Sequence, residues 1–97
     1  MHIAILTFEG FNELDSFIAL GVLNRIKKPG WRVTICCPQP TVTSMNGVTV
    51  HAQSDLAEAR SADAVIVGSG IRTREIVADA ALMNELALDS ARQLIAA

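Results

Sequence analysis

The chain is poor in aromatic residues and in cysteine, and each shortage excludes something. Aromatic residues make up 4% of the 97 residues and tyrosine is absent. The core must therefore be built from Ile, Leu, Val and Ala, as is common where helices cover both faces of a parallel sheet. The two cysteines are the neighbours Cys36 and Cys37, which excludes a disulfide framework and the spacing of zinc or redox motifs. We therefore predict a reducing, cytoplasmic location.

Long apolar runs and an excess of basic charge are also missing. No apolar run approaches the roughly 18 residues that a membrane span needs, and the amino terminus has no signal-peptide pattern. Eight basic residues against ten acidic ones give a net charge of −2, which argues against binding a phosphate backbone. We expect a soluble single domain with neither a membrane nor a nucleic acid as a direct partner.

Short apolar runs alternate with helical patterns along the chain. Strands are predicted at residues 3–8, 31–37 and 64–67, and apolar residues repeat at helical spacing from Leu14 to Ile26. This order contains a strand-helix-strand unit, whose strands are parallel neighbours in known folds. The sequence therefore predicts an α/β fold with a parallel sheet flanked by helices.

The remaining elements are weaker predictions. Residues 41–44 and 48–51 are expected to form a hairpin, because Asn46-Gly47 between them suits a tight turn. Ser54 is expected to cap a short helical turn that runs through Arg60. Helical patterns follow at residues 71–78 and 80–93, with Asp79 as an N-cap. Residues 94–97 either continue the last helix or begin a buried strand.

Asp15 is the first candidate for a chemical role. It lies in the first turn of a predicted helix that follows the first strand, and ligands of open α/β sheets bind beyond the carboxyl ends of the strands. A carboxylate in a first turn is also stabilised by the helix dipole, by about 0.3–1 kcal/mol, so a purely structural role stays open. Glu9 and Glu13 flank the same loop, and we expect two of the three carboxylates to point into water.

A glycine-rich turn follows the third predicted strand. Gly68-Ser69-Gly70 would offer backbone amides ahead of a helix, which suits an oxyanion or a phosphate. A tight turn that needs positive φ explains the glycines equally well. A dinucleotide-binding fingerprint would need a third glycine where Thr73 stands, so NAD is not expected. His2 and His51 have no partners at metal-ligand spacing, and neither a metal nor another cofactor is predicted.

The two cysteines are expected to behave as small apolar side chains. Cys37 shares a strand face with Val33 and Ile35, which leaves Cys36 on the other face beside Thr34. Of the two thiols, that of Cys36 is therefore expected to meet solvent more readily.

Two motifs at strand ends resemble a known family. The chain resembles the first half of the DJ-1/PfpI superfamily, which is allied to class I glutamine amidotransferases. The motifs that carry the resemblance are Gly10-Phe11 and Leu14-Asp15 after the first strand and Gly68-Ser69-Gly70 after the third. The resemblance covers residues 1–97. It is nearest to the branch of isonitrile hydratases and the ligand-sensing domains of AraC-type regulators, and it implies a flavodoxin-like fold and homodimers.

The resemblance also implies roles for particular residues. Asp15 matches the acidic catalytic position, and Gly68, Ser69, Gly70 and Ile71 match the loop that binds the oxyanion and the substrate. A nucleophilic cysteine would be expected just beyond Ala97, after the strand that residues 94–97 begin. The chain is therefore expected to be the amino-terminal half of a domain and inactive alone.

Two functions stay open. The complete protein is expected to be a cysteine-dependent hydratase or hydrolase, similar to isonitrile hydratases, that acts on a small molecule. The alternative is a non-enzymatic module for metabolite sensing or assembly, such as the ligand-binding domain of a transcriptional regulator. As a half sheet would expose an apolar edge, we expect the chain to pair with itself or with the missing carboxyl-terminal half.

Overall fold

The computed structural model describes residues 1–70, 76, 78, 79, 81, 88 and 91–96. Strands β1, β2, β5 and β6 form a parallel sheet in the order β2-β1-β5-β6, and β3 and β4 form a separate antiparallel hairpin. This confirms the predicted α/β fold. The predicted helices at residues 71–78 and 80–93 fall largely outside the described residues. The elements are β1 (His2–Leu6), α1 (Glu13–Leu23), β2 (Arg32–Cys36), β3 (Thr41–Thr43), β4 (Thr49–His51), α2 (Leu56–Ser61), β5 (Ala64–Val67) and β6 (Leu94–Ala96).

The central strand β1 separates two apolar cores, because alternate residues of a strand point to opposite faces. Ile3 and Ile5 pack on the side of α1, whereas Ala4 and Leu6 pack on the side of α2. All four side chains are buried. Both faces of the sheet centre are therefore covered, as the predicted α/β architecture requires.

Side-chain hydrogen bonds cap both ends of helix α1. The Asn12 side chain accepts a hydrogen bond from the Leu14 amide at 3.1 Å, which caps the helix start. At the other end, the Trp31 indole donates to the Leu23 carbonyl at 3.0 Å. The helix thus stops three residues before Ile26, where the apolar pattern of the sequence ended.

Helix α1 turns a different side to the core than its apolar pattern suggests. Its buried residue is Ser16, and Ala19, Leu20 and Leu23 pack against the core on the same side. The outer side is also apolar. Its most exposed apolar side chains are Leu14, Ile18 and Val22, with exposed fractions of 66%, 62% and 57%.

Helix α2 is capped by Asp55 rather than by Ser54, so the predicted capping residue is wrong by one position. The Asp55 side chain accepts from the Glu58 amide at 2.9 Å, and the Glu58 side chain accepts from the Asp55 amide at 3.3 Å, which is a capping box. At the other end, the buried Gln93 amide donates to the carbonyls of Ala59 and Ala62, each at 2.8 Å. The Ala59 carbonyl also accepts from the Ala62 amide at 3.2 Å, and the bond from Gln93 satisfies the Ala62 carbonyl at the helix end.

The last strand lies at an edge of the sheet. Of the two alternatives for residues 94–97, the strand is correct, because β6 pairs with β5 in parallel register. Leu94 is 73% exposed, although a buried strand was expected. Residues 91–93 form a turn, so the predicted helix at residues 80–93 is wrong over these three positions. Within the described part of the chain, no helix has the length and apolar character to cross a membrane.

Candidate functional site

Asp15 and Ser69 meet at the carboxyl edge of the sheet. The Ser69 hydroxyl donates a hydrogen bond to Oδ2 of Asp15. Asp15 lies in the first turn of α1, which follows β1, and Ser69 follows β5, the strand next to β1. The structure therefore brings together two residues that the sequence placed in one site.

Backbone contacts hold the two loops against each other. The Asn12 amide donates to the Ser69 carbonyl at 2.8 Å, and Phe11 forms a bridge with Gly70. A Cβ on Gly70 would lie 2.8 Å from the Gly10 carbonyl oxygen, closer than atoms in contact allow. Gly70 is thus required by close packing of two backbones, which is one of the general uses of glycine.

Gly68 has a similar packing role. Its amide donates to the Leu6 carbonyl at 3.2 Å, so this amide is already engaged within the sheet. A Cβ on Gly68 would lie 3.0 Å from that same carbonyl oxygen and 3.1 Å from the Ser16 hydroxyl. Of the predicted oxyanion loop, Gly68, Ser69 and Gly70 lie at this edge, and Ile71 lies outside the described residues.

Ser16 is a polar residue of the site that the sequence analysis missed. Its side chain is 1% exposed, and its hydroxyl has no hydrogen-bond partner among the described residues. A buried unpaired hydroxyl costs about 1–3 kcal/mol. No sequence pattern indicates this burial, because serine is usually exposed and Ser16 lies in an otherwise apolar segment.

An open groove of about 560 Å³ runs from this polar end along α1 and β5. Asp15, Ser16, Gly68 and Ser69 form its polar end. The rest of the lining is apolar. The apolar residues are Ile5, Leu14, Ile18, Ala19, Val22, Leu23, Ile66 and Val67.

Two of the three carboxylate residues, Glu9 and Asp15, are exposed as expected, and Glu13 is half-buried. Glu9 and Glu13 also bind the β3–β4 hairpin. The Thr43 amide donates to Oε2 of Glu9 at 3.1 Å, and the Asn46 side-chain amide donates to Oε1 of Glu13. Side-chain hydrogen bonds hold the pKa of Glu13 below its usual value, with the larger effect from Ser44 and a smaller one from Asn46. These two carboxylates fix the hairpin beside the first loop and leave Asp15 as the acid at the groove.

Both thiols are buried, and the expectation that Cys36 meets solvent is wrong. Cys36 packs with Ala4 and Leu6, and its Sγ donates to the Asp55 carbonyl at 3.0 Å. Burial raises the pKa of Cys36, and it raises the pKa of Cys37 to about 11. A nucleophilic cysteine needs the opposite shift, so neither thiol is suited to replace the cysteine expected beyond Ala97.

The described residues contain no cluster of three or more His, Cys, Asp or Glu side chains that could hold a metal ion. His2 bonds to the Thr34 hydroxyl at 2.8 Å, and His51 lies in the hairpin strand β4. The two histidines are therefore in separate parts of the structure, and neither lines the groove beside Asp15.

The parallel strand order β2-β1-β5-β6 matches that of flavodoxin-like domains. No protein-family model matches the sequence, and no curated protein matches it. Among solved structures, the chain is similar to a cysteine-to-alanine mutant of the DJ-1 superfamily protein STM1931 from Salmonella typhimurium. The TM-score is 0.76 and the identity is 27%, over 97% of this chain and 52% of that chain.

Two DJ-1 proteins of eukaryotes have the same fold. DJ-1beta of Drosophila melanogaster gives a TM-score of 0.75 at 24% identity, over 98% of this chain and 53% of that chain. Oxidized DJ-1 of Toxoplasma gondii gives a TM-score of 0.76 at 20% identity, over 98% of this chain and 54% of that chain. The predicted resemblance to the DJ-1 superfamily is thus confirmed. The chain spans about half the length of these solved structures, as an amino-terminal half would.

Proposed function

We propose that this chain supplies the acidic half of the active site in a cysteine-dependent hydratase or hydrolase that acts on a small molecule, similar to isonitrile hydratases. The observation that carries the proposal is the hydrogen bond between Ser69 and Asp15 at the carboxyl edge of β1 and β5. This edge is where open α/β sheets bind their ligands. Asp15 is the catalytic acid in this proposal, and Ser69 holds its carboxyl group in place.

The nucleophile would come from polypeptide that extends the sheet beyond β6. In the observed register Ile66 is opposite Ala96, so a strand that continued in the same register would bring its next residues level with Gly68 and Ser69. A cysteine there would lie next to Ser69, whose hydroxyl bonds to Asp15, and Asp15 would serve it as proton donor and acceptor. We propose a cytoplasmic protein whose chain pairs with such a carboxyl-terminal half.

The chemistry follows from these positions. A cysteine thiolate would form a bond to an electrophilic carbon of the substrate, and Asp15 would give a proton to the atom that gains the electron pair. Water would then displace the thiolate, with Asp15 taking a proton from it. In this proposal the Ser69 amide binds the negative charge that develops on a substrate oxygen, and nothing is oxidised or reduced.

The first measurement is the intact mass of the native protein, compared with the 10.4 kDa of this chain. A mass near twice this value identifies the longer protein for the assay below. If the mass equals this value, the assay uses a mixture of two polypeptides. One is this chain, and the other is the second half of the Salmonella protein in which the mutated cysteine has been restored.

The assay compares Asp15→Asn with the matched control Glu9→Gln, in which the exposed carboxylate binds only the hairpin. Loss of a general acid and base lowers turnover by about 10²–10⁴-fold, and Glu9→Gln is expected to retain turnover. Equal turnover of Asp15→Asn and wild type would disprove the catalytic role. Binding of a small molecule at the groove without turnover would favour the alternative function, a metabolite-sensing module.

A further inference from the structure

The turn of the β3–β4 hairpin carries an asparagine-glycine pair at the surface. Asn46 and Gly47 are both exposed, and a Cβ on Gly47 would meet no atom within 4 Å. Asparagine side chains are chemically labile. A following glycine favours the reaction, because its missing side chain and its conformational freedom let its nitrogen approach Cγ of the asparagine. The pair is therefore a candidate for covalent change as well as a turn.

The hydrogen bonds that hold the turn closed are few and lie at its tip. The Gly47 amide donates to the Ser44 carbonyl at 3.1 Å, and the Ser44 hydroxyl accepts from the Asn46 amide at 3.2 Å. The hairpin behind the turn has three residues in each strand. Because a two-stranded hairpin is marginally stable by itself, brief local opening frees both reacting groups. Attack on Asn46 thus needs opening of the turn and not unfolding of the chain.

The Asn46 side chain also links the hairpin tip to helix α1. Its Nδ2 donates to Oε1 of Glu13, in the first turn of the helix. Glu13 is half-buried, and among the residues that the structure describes no lysine or arginine forms an ion pair with it. A carboxylate at position 46 would lack this donor and would lie beside a second negative charge, which is unfavourable. Conversion of one amide would therefore replace an attraction with a repulsion.

We propose that Asn46 is a site of spontaneous deamidation, which releases the hairpin tip from α1. The Gly47 nitrogen forms a bond to Cγ of Asn46, the bond from Cγ to Nδ2 breaks, and Nδ2 takes the proton of the Gly47 amide and leaves as ammonia. Water then adds to either carbonyl carbon of the cyclic imide, and its proton returns to the nitrogen. The product is aspartate or isoaspartate, and nothing is oxidised or reduced. This proposal does not depend on the proposed activity.

Peptide mapping by mass spectrometry tests the site. The folded chain is incubated at neutral pH, and conversion of Asn46 is followed over time beside that of Asn24 in the same samples. Asn24 is the internal control, because it is also exposed but precedes Arg25, whose side chain hinders the attack. Asn46 is expected to convert while Asn24 stays intact. A parallel sample in guanidinium chloride gives the rate of the unfolded chain.

Two outcomes of the mapping would overturn the proposed site. The first is folded Asn46 that stays intact over the time in which the unfolded chain converts, because the turn would then protect it. The second is conversion of Asn24 at the same rate as Asn46, since glycine would then give no preference.

Amide hydrogen exchange of residues 41–51 tests the release of the hairpin. Asn46→Asp reproduces the product, and Asn46→Gln is the matched control that keeps an amide donor. Loss of a hydrogen bond to a charged group is expected to raise exchange in Asn46→Asp at least about tenfold. Adding Glu13→Gln is expected to reverse this rise, because the new side-chain amide can donate to the carboxylate. Circular dichroism checks that the variants are folded.

The exchange data would overturn the proposed release in either of two cases. Exchange in Asn46→Asp that equals that of wild type would show that the hairpin stays bound to α1. A rise that Asn46→Gln shares, or that Glu13→Gln leaves in place, would show that the new charge is not the cause.

Discussion

The hydroxyl of Ser69 donates to the carboxylate of Asp15 across 54 positions of sequence. The two residues meet because β1 and β5 are parallel neighbours and both strands end at the same edge of the sheet. The close approach of Gly10 and Gly70 holds the loops that carry them. The geometry of the site therefore depends on glycine packing as much as on the two polar side chains.

Replacing Gly70 with alanine is expected to destabilise the protein by about 1–3 kcal/mol, the usual cost of overpacking. The new Cβ would lie 2.8 Å from the Gly10 carbonyl oxygen, and backbone atoms there cannot rotate away. Urea denaturation at low protein concentration measures the loss. Gly21→Ala is the matched control: a Cβ there meets nothing within 4 Å, and the better helix propensity of alanine is expected to add about 0.5–1 kcal/mol.

Two buried serines are expected to respond in opposite directions to alanine. The Ser16 hydroxyl has no partner among the described residues, so Ser16→Ala should leave the free energy of unfolding unchanged or raise it by about 1 kcal/mol. The Ser54 hydroxyl bonds to that of Thr34 at 2.7 Å, so Ser54→Ala should lower it by about 1–3 kcal/mol. Chemical denaturation compares them. A similar loss in both variants would show that the Ser16 hydroxyl is satisfied.

Stability is expected to fall as the pH falls below the usual pKa of histidine. Burial, and then the Arg32 guanidinium, lower the pKa of His2 from 6.5 in the folded chain. The folded state therefore favours neutral His2. Its contribution to stability is complete above a pH of about 6.5 and is lost as the pH falls towards the lowered pKa.

Urea midpoints between about pH 7.5 and pH 5 measure this effect of His2 titration. His2→Gln is expected to flatten the dependence, and His51→Gln, in the exposed part of the hairpin, serves as the control. A slope that survives in His2→Gln would assign the pH dependence to other groups.

Both thiols are expected to react slowly in the folded protein. Burial raises the pKa of Cys36 and raises that of Cys37 to about 11, and the thiolate is the reactive form. Alkylation by iodoacetamide at neutral pH, followed by mass spectrometry, should modify neither residue at the rate of a free thiol. In urea both should react at that rate. Rapid alkylation of folded Cys36 would contradict its burial beneath α2.

The strands were predictable from the sequence because each is a short apolar run between turn residues. Residues 64–67 became β5 without any change of bounds, and Asn46-Gly47 formed the predicted hairpin turn. Asp15 and Ser69 were also found at one edge, since parallel topology dictates that their loops meet. Their catalytic and binding roles stay predictions.

The errors have physical reasons. Helix α1 is apolar on both sides, so periodicity alone could not tell which side faces the core, nor that Ser16 would be buried. Ser54 and Asp55 are both good capping residues. Asp55 precedes Glu58 by three positions, and this capping-box spacing was the signal that distinguishes them. The hairpin contacts of Glu9 and Glu13 depend on tertiary packing, which no local pattern encodes.

The strand order β2-β1-β5-β6 governs when the site can form during folding. We expect the β1-α1-β2 unit to close first, because β1 is nearer in sequence to β2 than to β5. The contact of Asp15 with Ser69 forms only when β5 has docked on the free edge of β1, and these two strands are far apart in the sequence. Long-range parallel pairing of this kind is slow. A partly folded chain that contains only the β1-α1-β2 unit would therefore have the core between β1 and α1. It would still lack the contact between Asp15 and Ser69 on which the proposed chemistry depends.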